Sequence, residues 1–286
     1  MKPIILVTGT SSGIGAALVT AAQNDYTVLG TSRHPRPRSE IGFAEYQLDL
    51  SRPEEIETFA KELSKELQGA SLHAIIHNAG VAIPGTVRST SVDVFAYQMQ
   101  VNVLGVYQLT QLLLPHVARS KGRILNIGSI SARFTAPFQG MYSASKSSLS
   151  CLTKAWRIEL APLGIQVSQL DFGNVQTGII SRALDAMDEA MRHLPYFAPL
   201  LPDVKRNALK RESQAMLPAQ AVDHILDILA RPSLKARYLL GKDARQIALL
   251  SKLPYPWFEA LIQRKMGIRN KVSSVSTSLF PQRTQS

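Results

Sequence analysis

Short apolar runs alternate with longer stretches of helical period along most of the chain. Ile4–Val7, Thr27–Leu29, Ala74–Ile76, Arg123–Ile127 and Gln166–Leu170 are compact and mostly aliphatic, which predicts strands. Between them, Ile14–Ala22, Pro53–Leu67, Val92–His116 and Tyr142–Leu160 return apolar side chains to one face every three or four residues, which predicts helices. This alternation predicts an α/β fold, a doubly wound parallel sheet covered on both faces. From Arg33 to Phe43 the pattern stops, and Pro35 and Pro37 predict a loop there. No internal repeat or coiled-coil seam is present.

Beyond Thr177 the periodicity loosens. Residues 178–217 mix Ile179, Ile180, Leu184, Met187 and Met191 with Pro195, Pro199 and Pro202. An insertion this long reads as a substrate lid, because structureless connections beyond about 15 residues are uncommon in compact domains. A capped helix is predicted at Pro218 and Ala219–Leu229, and a last strand at Arg237–Leu240, closed by Gly241. The chain thus reads as one domain over 1–268, ending in apolar, basic helices over 242–268. A Ser/Thr-rich tail, 269–286, is expected to be disordered.

Composition narrows the picture. The 286 residues are 45% hydrophobic, and the one cysteine, Cys151, cannot form an internal disulfide, so a reducing, cytoplasmic setting is expected. Ile4–Val7 is too short for a secretory leader, and no run of about 18 apolar residues predicts a membrane span. Charge is lopsided: residues 1–200 hold 17 Lys+Arg against 15 Asp+Glu, whereas 201–286 hold 15 against 6, giving +2 and +9 of the total +11. That basic end is either a solvated surface or one that meets anionic lipid or an acidic partner. Trp257, Phe258 and Leu261 beside Arg264 and Lys265 fit peripheral contact with an anionic membrane. No nucleic-acid-reading motif accompanies the charge, so no nucleic-acid partner is expected.

Candidate chemistry begins at Thr8-Gly9-Thr10-Ser11-Ser12-Gly13-Ile14-Gly15, which follows a strand and opens a helix. Glycines at such a turn let backbone approach a pyrophosphate, and the helix amides and dipole favour its charge. Where an acidic residue accepting ribose hydroxyls is common in dinucleotide sites, the chain has Thr31-Ser32-Arg33, then Arg36 and Arg38. With no carboxylate in that stretch, Arg33 suits a 2′-phosphate, so NADP is expected ahead of NAD. Asp49 either bonds an adenine amino group or caps the helix starting near Pro53. Tyr142 and Lys146 share one helix face, where an ammonium field would stabilise a phenolate whose free pKa is about 10. Ser129 follows a predicted strand and would project from its carboxyl end, able to steady a developing alkoxide. The six histidines show no metal-ligand spacing, so no metal is expected, and Gly128-Ser129-Ile130-Ser131 is not a nucleophile elbow.

Taken in order, these pieces resemble the short-chain dehydrogenase/reductase family over roughly residues 3–180, with a weaker echo to about 262. The matching residues are Gly9, Gly13, Ile14 and Gly15; Asp49; Asn78, Ala79 and Gly80; Asn102; Ser129; Tyr142 and Lys146; and Gly173, Val175 and Thr177. The resemblance implies a Rossmann-type sheet, Tyr142 as general acid/base, Lys146 lowering its pKa and binding the nicotinamide ribose, and Ser129 orienting the substrate oxygen. It also implies that Asn102 holds a water linking Lys146 to solvent. Asn78-Ala79-Gly80 would steady the sheet beside the cofactor, with the 173–177 segment contacting the carboxamide. A homodimer or homotetramer through the helices at Val92–His116 and Tyr142–Leu160 is implied as well. Two departures stand out: Asp171-Phe172-Gly173 where the family often has Asn-Pro-Gly, and His77 before Asn78, to which no catalytic role is given. Met187, Met191, Leu194, Tyr196, Phe197, Leu200 and Leu201 predict an apolar lid lining, and 237–244 is similar to the steroid- and retinol-active branch. Together these predict an NADP-dependent oxidoreductase acting on a lipophilic carbonyl or alcohol. The alternative is a non-catalytic dinucleotide-binding scaffold; an epimerase or dehydratase fits the length less well.

Overall fold

The computed structural model describes residues 2–191 and 200–265. Its seven strands are β1 Ile4–Thr8, β2 Thr27–Ser32, β3 Ala44–Gln47, β4 Leu72–His77, β5 Arg123–Ser129, β6 Gln166–Phe172 and β7 Arg237–Leu240. They form one parallel sheet in the order β3-β2-β1-β4-β5-β6-β7. The order reverses between β1 and β4, the place where open parallel sheets leave a crevice at their carboxyl ends.

The helices are α1 Gly13–Ala22, α2 Arg38–Ile41, α3 Pro53–Glu66, α4 Val92–Met99, α5 Gly105–Arg119, α6 Gly140–Glu159, α7 Ile179–Met191, α8 Leu201–Ser213, α9 Pro218–Ala230, α10 Lys242–Leu250 and α11 Tyr255–Lys265. On one sheet face Leu18 and Val19 of α1 pack with Val222, Ile225 and Leu229 of α9. On the other, Phe59 and Leu63 of α3, Leu109 and Leu113 of α5, and Leu149 and Trp156 of α6 form a second core. Each fully buried Leu, Ile or Phe side chain contributes about 1.5–3 kcal/mol relative to exposure.

Four expectations are revised. Between Pro37 and Gly42 the chain makes the single helical turn α2 instead of a plain loop; Pro37 caps its entry, where no N–H is required, and Gly42 closes it at φ +77°. Ala44–Gln47, which alternates apolar and polar residues but is not among the expected strands, is a strand paired to β2. The helix expected over Val92–His116 is interrupted by a π-turn at Gln100–Leu104 and runs on to Arg119. The segment after Thr177 is not loose where described: α7 and α8 pack Leu184, Met187, Leu200, Leu201 and Val204 together, and Pro202 sits harmlessly in the first turn of α8. Leu194, Tyr196 and Phe197, expected to line a lid, and the tail 269–286 lie outside the described residues. No described helix is long and apolar enough to cross a membrane.

Candidate active site

Along the crevice, the glycine-rich turn lies between the ends of β1 and β4. Gly9 and Gly13 adopt φ +72° and +58°, which disfavour any other residue. Gly15 is needed for space: a Cβ there would stand 2.1 Å from the Gly9 carbonyl oxygen and 2.5 Å from Asn78 Nδ2. Asn78 Nδ2 donates to the Thr8 and Gly9 carbonyl oxygens, both at 3.0 Å, and the Asn78 and Ala79 amides donate to Thr8 Oγ1. The Asn78-Ala79-Gly80 segment therefore sets the turn's shape from the neighbouring strand. Ser12 caps α1 in an extended conformation with no side-chain hydrogen bond, and Ser11 and Ser12 are exposed. The first-turn amides, Ile14 among them, are thus available to an anion. This cradle fits a dinucleotide pyrophosphate. Thr177 packs against Gly13 on the same turn, its Cβ 3.0 Å from where a Gly13 side chain would start.

Toward β2 and β3 the arginines differ. Arg33 is exposed and makes no hydrogen bond or ion pair among the described residues. Arg36 is engaged: its Nε lies 3.3 Å from Glu45 Oε2, its amide donates to the same oxygen at 2.8 Å, and Nη2 donates to the Thr10 carbonyl at 3.3 Å. Thr10 Oγ1 also donates to Glu45. Burial opposes ionisation of Glu45, but the bonds from Arg36 and Thr10 prevail and hold its carboxyl below the usual range. The expectation of no carboxylate near this end is therefore corrected: Glu45 arrives from β3, opposite Gly30 in the ladder, beyond the reach of a local reading. Asp49 does not cap α3. Its Oδ1 accepts from the Ser51 amide at 2.8 Å and hydroxyl at 2.7 Å, shaping the turn into α3, whose N-cap is Arg52.

At the other end, Ser129 closes β5 while Tyr142 and Lys146 stand one turn apart on α6. The three side chains meet: Ser129 is hydrogen-bonded to Tyr142, and Lys146 Nζ lies 6.0 Å from the Tyr142 ring centre. Lys146 is buried, donating from Nζ to the Ile127 carbonyl at 3.0 Å. Burial pulls its pKa down to about 8, with Asp171 acting the other way. Burial raises the Tyr142 phenol above its ordinary value, Ser129 lowers it and Asp171 raises it again. Burial is thus the largest influence on the Tyr142 phenol, and it opposes ionisation.

Asn102 projects from the π-turn, a distortion frequent at functional sites. Its Oδ1 accepts from the Val81 amide at 2.9 Å, and its Nδ2 donates to the Val81 carbonyl at 2.8 Å and Ser145 Oγ at 3.0 Å. Gln98, which the sequence reading passed over, grips Ile83 the same way, at 2.9 and 3.1 Å. Both amides hold the loop after β4 as a neighbouring strand would. Asn102 Oδ1 and Lys146 Nζ flank Gly80, 3.1 and 3.5 Å from where its Cβ would lie, so Gly80 leaves room for both. His77 ties β4 to α5 through Thr110, at 2.8 Å, and burial drops its pKa to about 3, keeping it neutral.

With this geometry in place, the family model described as short chain dehydrogenase matches residues 3–188. The chain belongs to the short chain dehydrogenase family. It is 27% identical over 285 residues to the uncharacterized oxidoreductase YusZ of Bacillus subtilis, covering 93% of this chain and 99% of that one. To the NADPH-dependent 1-acyldihydroxyacetone phosphate reductase of Schizosaccharomyces pombe it is 33% identical over 194 residues, 66% of this chain and 65% of that one. A short-chain dehydrogenase from Streptomyces avermitilis shares the fold at TM-score 0.75 with 24% identity, covering 93% and 97% of the two chains.

In this member of the short chain dehydrogenase family, the segment after β6 departs from the usual proline. Phe172 instead extends β6, paired with Ser129 of β5 and Leu240 of β7, and its ring fills the core beside α9. Gly173 then passes Asp243, whose Oδ2 accepts from the Asn174 amide at 2.7 Å, and Val175 bridges to Met216.

Proposed function

We propose that this oxidoreductase transfers hydride between NADP and a lipophilic ketone or aldehyde, or the matching alcohol. The observation that carries the reading is the meeting of Ser129, Tyr142 and Lys146 at the sheet's carboxyl end, in line with an anion cradle at Gly9–Gly15. The first-turn amides of α1 would hold the pyrophosphate, Arg33 and Arg36 the 2′-phosphate, and Lys146 with the 173–177 segment the nicotinamide half. When bound, a reduced nicotinamide would supply the hydride that goes to the carbonyl carbon. Ser129 donates a hydrogen bond to the carbonyl oxygen, and the Tyr142 hydroxyl gives its proton to that oxygen as negative charge develops. Lys146 then stabilises the phenolate left behind; oxidation of an alcohol runs these transfers backwards.

Support for a lipophilic substrate comes from the lid, where Leu184 and Met187 meet Phe138 and Ile180 just ahead of α6. The acyl lipid named for the Schizosaccharomyces relative points the same way. On α10 and α11, Leu249 and Trp257 are 68% and 72% exposed, near exposed Lys252 and Arg264, an arrangement suited to an anionic bilayer from which such substrates are drawn. Flotation with phosphatidylserine vesicles at low salt checks this; protein left at the bottom of the gradient removes it.

NADPH and NADH oxidation measured over steroid, retinoid and long-chain aldehyde panels tests the main reading. Turnover of at least one apolar carbonyl is expected, about tenfold faster with NADPH than NADH at limiting cofactor. Preference for polar sugars, or for NADH, would overturn the substrate or the cofactor assignment respectively.

A further inference from the structure

Asp171 lies beneath the proton-transfer corner. Across the β5–β6 ladder it faces Gly128, and a Cβ on that glycine would lie 2.4 Å from Asp171 Oδ1 and 2.0 Å from Gln169 Nε2. The carboxylate therefore rests over the backbone between Ile127, whose carbonyl holds Lys146, and Ser129. Its side chain is fully enclosed. Gln169 Nε2 donates to Oδ1 at 3.1 Å, and Gln169 Oε1 accepts from Thr153, which in turn accepts from Asn126. Oδ2 accepts no hydrogen bond but faces Arg237 Nε at 3.2 Å and Arg133 Nε at 3.9 Å. Arg237 also donates to Ser150 of α6.

Burying an anion costs several kcal/mol before pairing, and an asparagine would hold Gln169 equally well. The charge itself thus calls for an explanation, and its neighbours supply one. We propose that Asp171 is a positioning residue of the active site: from beneath Gly128 its carboxylate, tempered by Arg237 and Arg133, governs how tightly the Tyr142–Lys146 pair keeps its proton. The inference rests on the hydride-transfer reading for its catalytic meaning.

The charged groups around this corner are few. Tyr142 and Lys146 face it from α6, Arg133 from the turn after β5, Asp171 from β6 and Arg237 from β7; Asp243 at the start of α10 is turned to the Asn174 amide. Burial pushes Lys146 down and Tyr142 up, while Asp171 pulls both upward. Two substitutions at opposite ends of one ion pair should therefore act in opposite directions. Asp171→Asn removes the anion and lowers both affinities for the proton; Arg237→Gln removes its counter-charge and raises them.

The direct test is a pH titration of the intact protein labelled with 13C at lysine Cε, the Lys146 signal being assigned by its loss in Lys146→Met. The wild-type midpoint is expected near 8. Asp171→Asn should move it down and Arg237→Gln up, each by roughly 0.5–1 pH unit. Arg133→Gln, whose charge is more distant, should follow Arg237→Gln with a smaller shift and stands in for it if that variant does not fold. The acid limb of kcat/KM for alcohol oxidation should move in the same directions. Unmoved midpoints, or shifts of one sign in all variants, overturn the role of Asp171. Opposite shifts in a protein that turns over no carbonyl keep the coupling and refute the hydride-transfer reading instead.

Discussion

The two ends of the cleft hold their charges differently. Near β2 and β3, Arg36 remains 39% exposed while its partner Glu45 is enclosed, and Arg33 stands in solvent. At the other end, Lys146 and Asp171 are both buried, and the charge of Asp171 is felt by Tyr142 and by Lys146. Water and salt screen the exposed members of the first set, Arg33 above all, although Arg36 stays tied to enclosed Glu45. Little screens the second, so a change at one group is transmitted to the others. A cofactor's phosphate needs only affinity, which partly exposed arginines provide; a proton shared during catalysis needs its energy matched to the donor, which calls for enclosure.

Substitutions can break this contrast. Tyr142→Phe should lower turnover about a thousandfold while leaving NADP affinity, read by fluorescence titration, within about twofold. Retained turnover would mean that the buried corner does not do the chemistry. A smaller effect is expected at the exposed end: Arg36→Ala should weaken NADP binding about tenfold and NAD binding little, because only a 2′-phosphate meets the guanidinium. Equal losses for both cofactors would assign Arg36 to shaping the Thr10 turn instead. Smallest is Arg33→Ala, at about threefold for NADP and fading as salt is raised to 0.5 M, as an exposed ion pair should. A salt-independent loss would show that Arg33 becomes enclosed on binding.

The sequence carried the site well where geometry is local. Tyr142 and Lys146 share a helix face by spacing alone, and the turn at Gly9–Gly15 shows itself between a strand and a helix. What escaped is set by partners far along the chain. Glu45 reaches Arg36 and Thr10 because β3 pairs with β2, and the alternation of Ala44–Gln47 does not say which strand is its partner. Asp171 looked like a substitution beside a missing proline; its importance appears once β7 brings Arg237 alongside. Gln98 was hidden for another reason, since its backbone partner at Ile83 belongs to a loop with no pattern of its own.

A π-turn carries one residue more than the α-helical repeat, so the helical run from Val92 to Arg119 changes azimuth by roughly 100° at Gln100–Leu104. Before that step Gln98 reaches the loop after β4; beyond it Leu109, Leu113 and Val117 fall on the core side. A deletion of one residue in this stretch would swing one set away from its target, whereas a substitution leaves both aimed. Length, more than composition, lets a single rod address two surfaces at once.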